Sequence, residues 1–283
     1  MTISKEVDFF NTEQHKLAIH KWLPDDIRGI IYYFHGLQSH GGWLWEAGRV
    51  FASKGIAFVC IDRPGSGLSS GDRSSFPNSS ILLQAYNQAL KHCHEEMPSN
   101  VPVCLFGHCL GGSVLAALLA ENHLSFDYDK VVFCSTWLSK LHTTLDKDAL
   151  SSIASEESEE LWDAELKAED FTSDKKYIDF IENDALAIRK ITKNSRKYIL
   201  DLEKKYHNIQ IPNSENMYYI AGCEDKVINL PLALKSFKLL SKGNGTILQL
   251  PTDKHYLFFT KSKCTLISWV SSLIIDEKEE YFA

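Results

Sequence analysis

Apolar residues occur along this chain in short unbroken runs, separated by helix-length stretches of mixed pattern. Gly29–Gly36 (GIIYYFHG), Ile56–Gly67, Val101–Cys109, Lys130–Trp137, Asn216–Asp225 and Thr246–Pro251 each carry such a run, and predict six strands. Trp43–Lys54, Ser80–Met97, Gly112–Asn122, Leu230–Ser241 and Thr265–Glu280 read as the helices around them. Strands apolar at every position are buried on both faces, which predicts a mostly parallel central sheet flanked by helices. Val7–Thr12 and Lys16–Pro24 instead alternate around a polar turn, as a preceding antiparallel hairpin does. The fold class is α/β.

One interval breaks the rhythm. From Trp137 to Ile211 there is no strand signal, and the stretch is too long for a plain loop. It predicts a helical insertion over residues 138–210, set into a core made of 1–137 and 211–283. Residues 146–170 hold ten acids against two lysines, whereas 189–205 turn basic with Arg189, Lys190, Lys193, Arg196, Lys197, Lys204 and Lys205. Solvated helix faces account for such runs.

Totals narrow the partners. A formal net charge of −7 on 283 residues argues against nucleic acid, which needs clustered cations. No apolar stretch approaches a membrane span, and the opening MTISKEVDFFNTEQ has no signal-peptide pattern. The seven cysteines are scattered without C-x-x-C pairs, as reduced thiols of a cytoplasmic protein are. Neither an H-E-x-x-H phrase nor a dinucleotide glycine fingerprint is present, so no metal and no cofactor are expected. The expected partner is a small acyl substrate, without stable membrane insertion; oligomeric state is open.

Candidate chemistry starts at Gly107-His108-Cys109-Leu110-Gly111, which follows an apolar strand and precedes an Ala/Leu-rich helix. Gly-x-Ser-x-Gly in that setting is a tight turn that lifts a nucleophile to the sheet edge. Here Cys109 has the serine's place, and the N–H of Leu110 would face a developing oxyanion. Asp225 ends the fifth strand, with Glu224 as a neighbouring alternative. His255, in PTDKHYLFF, is the one histidine downstream of that acid. His35-Gly36 closes the first long strand, so Leu37 would supply a second oxyanion N–H. His40 reads equally as structural or as a leaving-group contact. Trp43, Trp45, Trp137 and Trp162 are candidate pocket residues by position alone, and no motif names the substrate-binding lining.

These residues resemble the α/β-hydrolases of the monoacylglycerol lipase and lysophospholipase-like group, the serine aminopeptidase S33-like hydrolases. The matching phrases are His35-Gly36 with His40, DRPGSGLSSG (Asp62–Gly71), GHCLGG, AGCEDKV and the DKH around His255. The resemblance implies the α/β-hydrolase fold, a cap at 138–210 and catalytic roles for Cys109, Asp225 and His255. The Asp62–Gly71 phrase reads as turn chemistry. Two departures stand out: a cysteine replaces the nucleophilic serine, and the cap is acidic where membrane-grazing members expose apolar surface.

A cysteine nucleophile would form a thioester intermediate. That suits hydrolysis of esters, thioesters or lactones, and also acyl transfer or cyclisation. Two other readings stand beside it: a serine replacement made to trap an acyl-enzyme, and a non-catalytic descendant that binds a ligand or partner.

Overall fold

The computed structural model describes residues 2–212 and 214–275. Its eight-stranded sheet contains β1 (Ile3–Asn11), β2 (Lys16–Pro24), β3 (Gly29–Phe34), β4 (Ile56–Ile61), β5 (Val103–His108), β6 (Lys130–Cys134), β9 (Met217–Gly222) and β10 (Thr246–Leu250). The strand order is β1-β2-β4-β3-β5-β6-β9-β10. β1 pairs antiparallel with β2 and β2 antiparallel with β4; every other pairing is parallel.

Strand alternation explains the unbroken apolar runs. Ile30, Tyr32 and Phe34 of β3 enter one core with α2 (Ser79–Glu95), α3 (Leu110–Ala120) and α9 (Leu230–Leu240). Ile31 and Tyr33 point to the other face, against α1 (Trp45–Ser53) and α10 (Lys263–Ile274). β4 and β5 divide their side chains in the same way, so neither face can be polar. The helix expected over Thr265–Glu280 is seen to Ile274, and its part beyond residue 275 lies outside the described residues.

The long interval between β6 and β9 is not purely helical. Besides α4 (Lys140–Thr144), α5 (Lys147–Ala154), α6 (Ala168–Phe171), α7 (Lys175–Asn183) and α8 (Ser195–Tyr206), it contains β7 (Leu161–Asp163) and β8 (Lys190–Thr192). These two pair antiparallel in a separate small sheet, with Trp162 opposite Ile191. This corrects the expectation of no strand there. Three residues are too few to carry a period, and the ladder depends on contacts made far along the chain.

The two parts of the interval are tied down unequally. Ile188 N donates to Gln38 O at 3.2 Å and Thr192 N to Ser74 O at 2.7 Å. Asp170 and Phe171 offer their carbonyls to His255 N and Tyr256 N, and Thr172 Oγ1 donates to Phe259 O at 2.7 Å. Among the described residues, by contrast, no hydrogen bond joins 140–166 to the sheet or to its flanking helices. No helix among the described residues is long and apolar enough to cross a membrane.

Candidate active site

The chain crosses to opposite sides of β3 on its way to β4 and β5, and the crevice at such a switch point is where open α/β sheets bind ligands. The loop after β3 and the turn after β5 meet there. Cys109 links β5 to α3 with φ 52° and ψ −124°, a left-handed strain that a non-glycine residue adopts only under constraint. Glycines make the turn possible. A Cβ on Gly111 would stand 2.1 Å from Phe34 O, and one on Gly107 would stand 2.5 Å from Gly112 Cα. At Gly36 a side chain would press on Cys109 Cβ at 3.1 Å.

Asp225 and His255 reach the same edge from the loops after β9 and β10. His255 Nδ1 and Asp225 Oδ2 are 2.8 Å apart, with both side chains fully buried. Asp225 Oδ1 accepts from Val227 N at 2.8 Å, which fixes the carboxylate's rotation. Glu224, the alternative acid, is exposed. The second ring nitrogen, His255 Nε2, is buried without a formal hydrogen-bond partner and faces the Cys109 side chain.

The electrostatics follow from that arrangement. Burial opposes charge on His255, but Asp225 and the Cys109 thiolate outweigh it and raise the imidazole to about 10. Burial likewise opposes the thiolate, yet His255 and the N–H groups of Leu110 and Leu37 hold Cys109 below the usual thiol value. Cys60, Cys93, Cys104 and Cys134 go the other way, pushed up by burial. His108, next to Cys109 in sequence, is lowered to about 3 by burial and by its neighbour His255, and so stays neutral.

The phrase DRPGSG does more than turn the chain. Asp62 is the hub: its carboxylate accepts from Gly41 N at 2.6 Å and Leu68 N at 2.9 Å and pairs with His20 Nε2 at 3.0 Å. Arg63 is 3% exposed, and no acidic side chain among the described residues is bonded to it. Its guanidinium donates to Gly36 O at 2.7 Å and Leu37 O at 2.6 Å. His35 also bonds Gly36 O through Nδ1 at 2.9 Å. In a trans peptide the carbonyl and the next N–H point in opposite directions. Holding the Gly36 carbonyl from behind therefore turns the Leu37 N–H toward Cys109. The sequence reading assigned Arg63 no role; a basic residue at the buried end of an apolar strand was the available signal.

His40 is a structural tie. Its Nε2 meets Asp184 Oδ2 at 3.0 Å, where Trp43 Nε1 also donates at 2.6 Å. Trp43 is buried and Trp45 packs on Phe180 and Phe259, so neither reaches the site. Trp137 and Trp162 do. With Leu37, Cys109, Leu110 and Ile199 they enclose a mostly apolar cavity of about 280 Å³ that opens onto the thiol.

Residues 25–261 match the family model described as "Serine aminopeptidase, S33". The chain belongs to the serine aminopeptidase S33 family of hydrolases. It is 26% identical over 140 residues to methylesterase 18 of Arabidopsis thaliana and 25% identical over 113 residues to human monoglyceride lipase. Those stretches cover 46% and 40% of this chain, but only 50% and 37% of the relatives' own length. A soluble variant of monoglyceride lipase from Saccharomyces cerevisiae superposes with a TM-score of 0.77 over 97% of each chain at 15% identity. At that identity the likeness speaks for the fold, which is the α/β-hydrolase fold.

Proposed function

We propose that this S33-family protein hydrolyses carboxylic esters, thioesters or lactones through Cys109, His255 and Asp225 and a covalent acyl-cysteine. The observation that carries this reading is the buried 2.8 Å His255–Asp225 pair, whose free nitrogen faces a thiol at a strained strand-to-helix turn. That methylesterase 18 and human monoglyceride lipase are an esterase and a lipase supports it.

In this mechanism the Cys109 thiolate attacks the carbonyl carbon, and the carbonyl electrons move onto oxygen. Leu37 N–H and Leu110 N–H receive the oxyanion. As the C–O or C–S bond to the leaving group breaks, His255 gives it the Nε2 proton. Asp225 holds the ring in the tautomer that allows this and stabilises its charge. Water then occupies the leaving group's position. Neutral His255 takes its proton, the oxygen attacks the thioester carbon, and Cys109 departs as thiolate with release of the acid. Residues 138–210 serve as the cap over this site, on a core of 1–137 and 211–283. The free cysteines suit a cytoplasmic enzyme.

Short and long p-nitrophenyl esters and N-acetylcysteamine thioesters test the reading, with intact-mass and peptide analysis of quenched reactions. The acyl adduct is expected on Cys109, with turnover lost by about 10⁴-fold or more in Cys109→Ala. Equal labelling of several cysteines, unaffected by His255→Ala, overturns it. Amide product in the presence of an amine would turn hydrolysis into acyl transfer through the same intermediate.

A further inference from the structure

The acid-rich insertion turns two cations, not its acids, to the cavity. None of the ten acids of 146–170 lines the space beside Cys109, but Lys140 and Arg196 do. Three other cations of the basic run are paired with acids: Lys190 with Asp163 at 3.6 Å, Lys193 with Glu160 at 2.5 Å and Lys205 with Glu121 at 2.9 Å. Arg189, Lys197 and Lys204 have no acidic partner among the described residues, but they do not line the cavity. Arg196 has no acidic partner among the described residues. Its guanidinium lies over the Trp162 ring at 5.3 Å, and Lys140 Nζ lies over Trp137 at 4.8 Å. Both tryptophans are walls of the same cavity.

A guanidinium held over an indole by cation–π attraction is restrained there while its N–H donors, which lie in its own plane, stay available to an anion. The one carboxylic side chain among the described lining residues is Glu203, and it is already engaged. It accepts from Leu141 N at 3.0 Å, His142 N at 3.2 Å and His142 Nδ1 at 2.9 Å. The cavity therefore combines apolar walls with two cations that have no acidic partner among the described residues.

We propose that Arg196 on Trp162, assisted by Lys140 on Trp137, is an anion-recognition subsite of the Cys109 cavity, selecting acyl substrates that carry a carboxylate or phosphate. This rests on the catalytic reading above for its substrate, though not for its binding. The anion belongs either to the far end of the acyl chain or to the leaving group.

Matched substrates separate these sources. Adipoyl and hexanoyl thioesters of N-acetylcysteamine differ by a terminal carboxylate on the acyl side. Hexanoyl thioesters of 3-mercaptopropionate and N-acetylcysteamine differ on the leaving side. In one of the two pairs the anionic member is expected to have the higher kcat/KM. Arg196→Met should cut that preference by about 10- to 100-fold, as loss of a charge-assisted hydrogen bond does. Arg196→Lys should restore part of it, and added salt should weaken it. Lys204→Met, on the exposed side of α8, should leave preference and basal activity alone.

Binding provides the independent arm. Octanoate and octanamide are titrated into the full-length Cys109→Ser protein, with tryptophan fluorescence as the readout. Tighter binding of octanoate, lost in Arg196→Met, supports the subsite even if no ester is turned over. Equal binding of the two, or a preference untouched by Arg196→Met and Lys140→Met, overturns it.

Discussion

A thiol at position 109 draws on groups that would act on it even without a substrate. His255 and two backbone N–H groups stabilise the thiolate against the cost of burial. Alkylation of Cys109 by iodoacetamide is therefore expected to stay fast at pH values below the normal thiol range. His255→Ala should move the midpoint of that profile upward, because the two backbone N–H groups then oppose burial without the imidazole; an unmoved midpoint would contradict the pair. Turnover should decline as pH rises through about 10, where His255 loses the proton it must give the leaving group. Arg63 acts one step back, through the Gly36–Leu37 peptide. Arg63→Met is expected to lower kcat by about 10- to 100-fold with KM little changed, the signature of a weakened oxyanion donor. It should also raise the Cys109 midpoint, since a nearby positive charge is lost; a drop in stability alone would leave that midpoint in place. Cys109, Asp225, His255, Leu37 and Leu110 were legible because each follows a recognisable strand end. Arg63 was not, since its effect passes through a peptide plane that sequence spacing does not reveal.

Elements explain why those residues meet. The turn from β5 into α3 tolerates no side chain at Gly111, where Phe34 O stands in the way. Gly111→Ala should lower both stability and soluble yield, read by thermal melts. Thr172 offers a subtler test. Its hydroxyl satisfies the buried Phe259 carbonyl close to the His255 loop. Thr172→Val keeps the shape and removes the donor, so a loss of about 1–3 kcal/mol in urea denaturation is expected. The six long strands and the hairpin could be read from continuous or alternating apolarity. β7 and β8 could not, because a three-residue strand has no period to detect. The cavity lining was equally hidden: its walls come from the β3 loop, the α3 turn, α4, β7 and α8, which only the folded chain assembles.

For the molecule as a whole, acid is the vulnerable direction. His35 and His108 are buried and lowered to about 3, first by desolvation and then by the neighbouring Arg63 and His255 respectively. An unfolded chain protonates both near pH 6.5, so between about 6.5 and 3 unfolding takes up protons. Their contribution is complete above 6.5 and is lost as pH falls through that window. Tm should drop by roughly 5 °C or more between pH 7 and pH 4.5. His108→Gln should flatten the slope, and a pH-independent Tm over that range would refute this account.

The unequal anchoring of the insertion sets where traffic can pass. Residues 168–192 hold the loops that carry His255 and Leu37, so any swing of that part would dismantle the relay it shelters. The 140–166 part is bonded instead to β8 and α8, through the β7–β8 ladder and the Glu203 carboxylate, and reaches the loops around Cys109 only by way of them. Displacement of the cavity wall at Trp162 would therefore pass through the small sheet before it reached the loops around Cys109, which makes β7–β8 the joint between wall and site.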